Sequence, residues 1–378
     1  MVVVNEKANH ISEIVSIIIP VFNREDFLYN TLFSIKNQTY DSWEAIIVDD
    51  GSTDKSLDII QAYVKRDNRF KFFARHRQPK GAQTCRNIGM ENASGKNIIF
   101  LDSDDILAPY CLLNRVNFME QNPDLDFSIN HVITFEKVPG DINILWNILD
   151  DGDDILRFFS DDVPWQTSSP IWKKEFVDQI KWDESCISGQ DWDFHVQALS
   201  LKPKYKKLAN AIPDCFIRRD HDVERISRNF YKAAQILNRE VIWKKNYKIL
   251  KAKNMWKEEY NLPFASFYFR FCEYFLIKLK NNQFNAWQFY KNVYQENLLK
   301  PKTFLWTAFY LMGLYLLRNR EYFTKIFYKK LASLMPESLV SENFYSTQEK
   351  VKLEGTKLEQ FVKALKSHNY SSFEENKG

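Results

Sequence analysis

The sequence predicts an α/β fold, a mixed and mainly parallel sheet flanked by helices, followed by an α-helical C-terminal region. Three observations carry that expectation. Apolar β-branched runs alternate with amphipathic helical stretches over roughly the first hundred residues, the pattern of parallel strands buried on both faces. Asp-rich segments follow the strand ends, where open α/β sheets bind their ligands. From about residue 231 strand alternation vanishes, and Lys and Arg interleave with dense aromatics.

Taken in order, residues 14–20 (IVSIIIP) form a continuous apolar run that stops at a proline, so they read as a buried strand. Residues 24–38 place Phe27, Leu28, Leu32 and Ile35 at helical spacing. WEAIIV at 43–48 is a second strand and runs into DDGSTD. A helix over about 54–66 sets Leu57, Ile60 and Val64 on one face. A third strand at about 69–74, a helix at about 81–93 and a fourth strand, KNIIFLD, at 96–102 complete the alternation. A helix at about 110–121 precedes one strand near 125–135. The stretch 139–164 is rich in Asp and Gly and reads as loop with a short helix. Beyond 231 several amphipathic helices are expected, ending in a frayed tail, SHNYSSFEENKG. No internal repeat is evident.

The chain has 378 residues, room for two or three domains. Hydrophobic residues make up 45% and charged residues 27%, which excludes a collagen-like or largely disordered chain. The net charge of +3 hides a split: residues 1–230 carry −9 and residues 231–378 carry +12. Five widely spaced cysteines with no CxxC pair fit a reducing cytosol better than a disulfide framework or a structural zinc site. The N-terminus lacks the basic start and apolar core of a secretory signal. The longest apolar run, Phe304 to Leu317, is 14 residues. Spanning a bilayer takes about 18–20, so a buried or interfacial helix is expected there.

Three acidic segments are candidates for chemistry. Asp49-Asp50-Gly51-Ser52-Thr53-Asp54 follows a strand; it reads either as a helix-capping loop or as a carboxylate that accepts a hydrogen bond from a ligand N–H, such as a uracil ring. Asp102-Ser103-Asp104-Asp105 follows the apolar run NIIF. Three carboxylates in four residues repel one another unless solvent or a cation intervenes. A hard cation such as Mg²⁺ or Mn²⁺, which takes one or two carboxylates and completes its shell with water and phosphate, suits that turn. In Ser188-Gly189-Gln190-Asp191-Trp192-Asp193-Phe194-His195, a carboxylate beside a tryptophan either titrates at a raised pKa or caps a helix. Trp165, Trp172 and Trp182 read either as platforms for sugar rings or as core.

The order and spacing of PVFN, DDGSTD, RNIG…ASG, LDSDD and QDWDF resemble the family 2 glycosyltransferases of the GT-A fold. The resemblance covers about 14–230 and is most specific over 14–110. It implies a nucleotide-sugar-binding part at 14–110 and an acceptor side at 111–230, with 1–13 as an N-terminal extension and 231–378 as a basic, aromatic helical region. It implies that Pro20, Val21 and Asn23 line the nucleotide. Asp50 is similar to the residue that recognises the base, usually uracil, and Arg86 faces the nucleotide. Asp102 and Asp104 fill the family's DxD, the first near the ribose and the second on the metal, with Ser103 between them on the donor side. Asp102 also counts among the metal residues, as does His221, which resembles a late Arg/His segment that folds over the diphosphate. Asp191 matches the general base, although Gln190 stands where Glu is usual.

The implied activity is inverting transfer of a sugar from a nucleotide-diphosphate donor, a UDP-sugar above others, with Mg²⁺ or Mn²⁺. Arg218, Arg219 or His221 would add positive charge at the diphosphate. The implied acceptor is a cell-surface polysaccharide or a lipid-linked glycan. A catalytically silent nucleotide-sugar-binding or scaffold protein is the alternative on this fold. A dinucleotide oxidoreductase needs GxGxxG after the first strand, and PVFNRE stands there instead. No nucleic-acid-binding motif is present. The basic, aromatic 231–378 fits either a solvated helical surface or peripheral attachment to an anionic membrane at its inner face.

Overall fold

The structure is a computed structural model that describes residues 13–146, 148–160, 162–219, 233–277 and 283–317, together with positions 359 and 363. The chain divides into two compact units. The first comprises 1–151, 164–246 and 350–378; the second comprises 152–163 and 247–349.

The first unit opens with the predicted alternation. Strands β1 (Val15–Val21), β2 (Trp43–Asp49), β3 (Phe70–Ala74) and β4 (Asn97–Phe100) alternate with helices α1 (Leu28–Lys36), α2 (Ser56–Arg66) and α3 (Ala82–Asn92). Every residue of β1 and β2 is buried, which is why both strands are mainly apolar, and the buried Ser16 hydroxyl donates to Glu44 of β2. Leu28, Leu32 and Ile35 form the buried face of α1. Beyond β4 come β5 (Ile106–Leu107), α4 (Cys111–Gln121), β6 (Phe127–Ile129), β7 (Val132–Phe135) and β8 (Ile144–Leu145). After the second unit's helix α5 (Asp154–Phe159), the first unit resumes. It contains β9 (Pro170–Lys173), α6 (Lys174–Val177), α7 (Gln190–Ser200), β10 (Tyr205–Lys207), β11 (Cys215–Arg218) and the start of α8 (Ala233–Ala252).

A 7-stranded sheet runs in the order β10-β6-β9-β4-β1-β2-β3. The pairs β4–β1, β1–β2 and β2–β3 are parallel, whereas β9 runs antiparallel to both β4 and β6. A 4-stranded sheet has the order β5-β11-β7-β8. The single strand expected near 125–135 is therefore two strands in different sheets. The chain leaves the first sheet at Asn130, whose N–H donates to the Ser169 carbonyl and whose side-chain amide donates to Asp214. Val132 then pairs with Cys215 of β11. Asp214 also accepts both arms of Arg115, at 2.8 and 2.6 Å, and that guanidinium is fully buried. A bidentate pair of this kind ties α4 to the start of β11; losing one partner typically costs about 3–5 kcal/mol.

Two glycines set how closely elements approach. A Cβ on Gly89 would lie 2.3 Å from Ile18 Cγ2, so α3 sits on β1 only because that side chain is missing. A Cβ on Gly95 would lie 2.6 Å from the Ile14 carbonyl. All five cysteines are free and buried, and burial pushes the Cys85 thiol up to about 12, as expected of packing groups.

The second unit is helical: α5, the rest of α8, a 3₁₀ turn at Glu258–Tyr260, α9 (Asn261–Ile277), α10 (Gln283–Gln295) and α11 (Pro301–Leu317). Asp153 caps α5 through the Leu156 N–H and also accepts from Lys257 and the Tyr260 hydroxyl. The aromatic run of α9 is core: Phe264, Phe267, Tyr268, Phe271 and Phe275 are all buried. On α11, by contrast, Leu305, Trp306, Phe309, Met312 and Leu316 are exposed.

Candidate functional site

The strand order puts the C-terminal ends of β4, β1 and β2 side by side. Leu101 N–H donates to the Ile18 carbonyl and Asp50 N–H to the Val21 carbonyl. Pro20 and Val21 are buried at the end of β1, in register with Val48 and Asp49. They fix where the following loop starts. Asn23 adopts a left-handed conformation, with φ of 50°. Its N–H donates to Ser52 Oγ at 3.0 Å and its Oδ1 accepts from Thr53 N–H at 2.8 Å. Further bonds from Arg24 to Ser56 and from Glu25 to Asp54 lace the loop after β1 to the loop after β2.

The two aspartates ending β2 differ. Asp49 holds the turn, its Oδ2 accepting from the N–H groups of Gly51 and Ser52 at 2.9 and 3.0 Å. Asp50 makes an ion pair instead. Its Oδ1 accepts from Arg75 Nε, and Arg75 Nη1 donates to the Arg77 carbonyl at 2.6 Å. Arg75 thereby fixes the orientation of a carboxylate that is itself buried.

After β4, Asp102 to Asp105 form a tight turn closed by the Asp105 N–H to Asp102 carbonyl bond. Its three aspartates meet different partners. Asp105 is buried and accepts from Arg218 N–H at 3.1 Å. Asp102 Oδ1 accepts from Arg86 Nη2 at 2.6 Å, with 34% of the Asp102 side chain exposed. Asp104 is half-buried, and its carbonyl accepts from Arg218 Nε. Ser103 is buried, and its carbonyl accepts from Thr31 Oγ1 of α1. Arg86 reaches Asp102 from α3 and lies over the Trp182 ring at 4.4 Å. The neighbouring Asn87 clamps the 182–184 segment through the Trp182 backbone and Glu184 Oε1.

Helix α7 carries the third acidic segment. Gly189 at its N-terminus has φ of 77°, a conformation that glycine adopts without strain. Asp191, in the first turn, is half-buried, and its carboxylate accepts only from Trp192 N–H among the described residues. Asp193 is fully buried and accepts from Gln197, Lys245 and Asn246. Phe194 stacks on Trp182 at 4.1 Å and meets Phe100 of β4 edge-on at 5.6 Å. The ends of β1, β2 and β4 thus bring Asn23, Asp50, Asp102, Ser103 and Asp104 to one edge of the sheet, with Arg86 beside them. Asp191 touches none of these directly among the described residues.

Residues 16–196 match the family described as Glycosyl transferase family 2. The chain carries a family 2 glycosyltransferase domain. Over 109 residues it is 46% identical to an uncharacterized glycosyltransferase of Haemophilus influenzae, a match covering 29% of this chain and 43% of that protein. Over 106 residues it is 40% identical to the putative teichuronic acid biosynthesis glycosyltransferase TuaG of Bacillus subtilis, covering 28% of this chain and 42% of that one. These matches span less than half the length of either relative. The fold is the GT-A arrangement: S. aureus TarS 1–349, crystallised with UDP-GlcNAc, superposes with a TM-score of 0.61 at 16% identity, over 91% of this chain and 99% of that chain.

Within the family 2 domain, one open alternative closes and one sequence expectation is corrected. Trp165, Trp172 and Trp182 are not platforms for sugar rings, since each is at most 1% exposed. They belong to an aromatic core in which Trp172 packs on Phe127 at 4.3 Å and Trp182 on Phe194. Arg218 does not stand ready for a diphosphate. Its guanidinium lies between the Phe27 and Phe135 rings and donates to the carbonyls of Asp104 and Glu136, so it holds the acidic turn. Arg219 is half-buried and donates its N–H to the Phe135 carbonyl. His221 lies outside the described residues.

No cluster of three or more His, Cys, Asp or Glu suited to a metal occurs among the described residues. The turn still fits a hard cation of the Mg²⁺ or Mn²⁺ type, which needs only one or two carboxylates and takes its other ligands from water and phosphate. Asp102 keeps one carboxylate oxygen clear of described partners, and Asp104 is partly exposed beside it. Two site residues escaped the sequence reading: Arg75, which orients Asp50, and Lys245, which reaches Asp193 from α8. Neither belongs to a motif, and no spacing connects either to its partner.

Proposed function

We propose that the chain transfers a sugar from a UDP-sugar to an acceptor hydroxyl, with inversion at the anomeric carbon. The observation that carries this reading is the contrast between Asp191 and Asp193. Two residues apart on α7, one is buried and ion-paired, while the other is half-buried and, among the described residues, has a single backbone N–H as partner. A carboxylate with no ion pair among the described residues is a candidate to take a proton.

On this reading Asp50, oriented by Arg75, accepts from the N–H of the uracil ring, and the backbone after β1 lines the nucleotide. Asp102 sits near the ribose, fixed by Arg86. Asp102 and Asp104 would hold a divalent cation, with His221 as a further metal residue. When bound, such a cation neutralises charge that develops on the departing diphosphate. Asp191 receives the proton of the attacking hydroxyl, and general base catalysis of this kind contributes about 10²–10⁴-fold. A base on the face opposite the leaving group gives a single displacement. TarS supports a UDP-sugar donor by the complex in which it was crystallised. TuaG supports a cell-envelope polysaccharide acceptor by its name.

The test is UDP release across a panel of nucleotide sugars with Mn²⁺, with Mg²⁺ and with EDTA. One UDP-sugar should stand above the GDP- and dTDP-sugars, and EDTA should abolish its turnover. Release no faster than a no-enzyme control for every donor would overturn the proposal and favour a silent sugar-nucleotide-binding protein.

The helical region suits attachment to an anionic membrane surface from the cytoplasmic side. Leu305, Phe309, Met312 and Leu316 share one face of α11, and exposed Lys300 and Lys302 lie at its start. No helix among the described residues is long and apolar enough to cross a membrane. Flotation with anionic vesicles at low salt should carry the protein upward. Protein that stays at the bottom of the gradient would remove the membrane reading.

A further inference from the structure

The family match ends at residue 196, so α8 lies outside it. Within the first unit, the part of α8 from Ala233 to Asn246 nevertheless fastens the segment that carries Asp191. Arg239 Nη2 donates to Ser188 Oγ at 2.6 Å. Asn238 accepts from Ile187 N–H and donates to the Ser185 carbonyl. Trp243 stacks on Trp192 with ring centres 5.0 Å apart and planes 10° apart. Lys245 Nζ bridges Asp183 and Asp193 at 2.7 and 2.8 Å, and Asn246 Nδ2 reaches Asp193 Oδ1 at 2.6 Å.

These bonds bracket one residue. Ser188 precedes Asp191, Trp192 and Asp193 follow it, and all three are held by α8. Asp193 closes the first turn of α7 through its N–H to the Gly189 carbonyl. Its carboxylate is fully buried, a state that burial alone opposes and that its partners on α8 make tolerable. Burial likewise works against the Lys245 charge, but Asp193 and Asp183 outweigh it and hold the Lys245 pKa above its usual value. Burial, opposed by Lys245 and Asn246, leaves the Asp193 pKa above its usual value, so this carboxylate depends on its partners on α8 to carry its charge.

We propose that α8 positions the general base, with Lys245, Asn246 and Arg239 as positioning residues that act on Asp191 through Asp193 and Ser188. The inference rests on the reading of Asp191 given above. A misplacement of about 1 Å at a reacting group costs on the order of 10²-fold in rate, so a helix can govern turnover through the base it holds.

The experiment uses the full chain with the UDP-sugar turned over fastest in the donor panel. Lys245→Met and Asn246→Ala are compared with wild type for kcat, donor KM and UDP affinity, and for hydrogen exchange across residues 189–195. Turnover should fall about 10- to 100-fold, with KM and UDP affinity within about twofold, and exchange should rise at the first turn of α7. Lys245→Arg should recover most of the rate. Two folded variants with wild-type turnover and unchanged exchange would overturn the proposal, and Asn246→Ala keeps the ion pair should Lys245→Met not fold. A helix that only stabilised the fold would lower the unfolding midpoint while leaving kcat unchanged. Should Asp191→Asn itself keep its turnover, the assignment of the base fails; should it be inactive while both α8 variants remain active, only the positioning role fails.

Discussion

Asp102, Asp104 and Asp105 stand within four positions, and each meets its charge differently. Asp105 gives its carboxylate to the Arg218 backbone, Asp102 shares one oxygen with Arg86, and Asp104 keeps partial contact with solvent. The residue types made this turn legible in the sequence, but its division of labour was not, because Arg86 and Arg218 come from distant parts of the chain. His195 is a second residue whose environment the sequence hides. Burial, and then the Arg86 charge, lower its pKa from 6.5 to about 3. Between those values the unfolded chain binds a proton that the folded chain refuses. Stability is therefore complete above pH 6.5 and falls with acidification, by about 1.4 kcal/mol per pH unit from this one group, until pH approaches 3. Urea unfolding at several pH values between 4 and 7 should show a steeper loss for wild type than for His195→Asn. Parallel curves would refute this account of His195.

Element boundaries followed local pattern closely wherever that pattern decided them. The first four strands and three helices fall within a few residues of their periodic runs, because β-branched runs and amphipathic spacing suffice there. The expected strand at 125–135 divides at Asn130, whose partners Ser169 and Asp214 lie far along the chain. No local signal marks that break. The RNIG…ASG block, carried here as a family motif, also has a packing reason: Gly89 admits the close approach of α3 to Ile18, which is buried and β-branched and cannot move aside. Gly89→Ala should lower stability by about 1–3 kcal/mol through overpacking, read as a lower denaturant midpoint. An unchanged midpoint would mean that α3 shifts at no cost.

At the scale of the whole molecule, the charge split in the sequence has structural content. The acidic front holds the aspartates at the ends of β2 and β4 and on α7. The basic back supplies Lys245 and Arg239, which fasten α7, and the exposed lysines at the start of α11. The family 2 domain was legible because its motifs are local blocks at strand ends. The contribution of α8 was not, since it depends on single polar side chains meeting across more than fifty positions. The most direct measurement of the central claim is turnover of Asp191→Asn beside wild type, with UDP affinity determined on the same preparations. The account predicts UDP affinity within about twofold and turnover lower by about 10²–10⁴-fold. Turnover within about tenfold of wild type would contradict it.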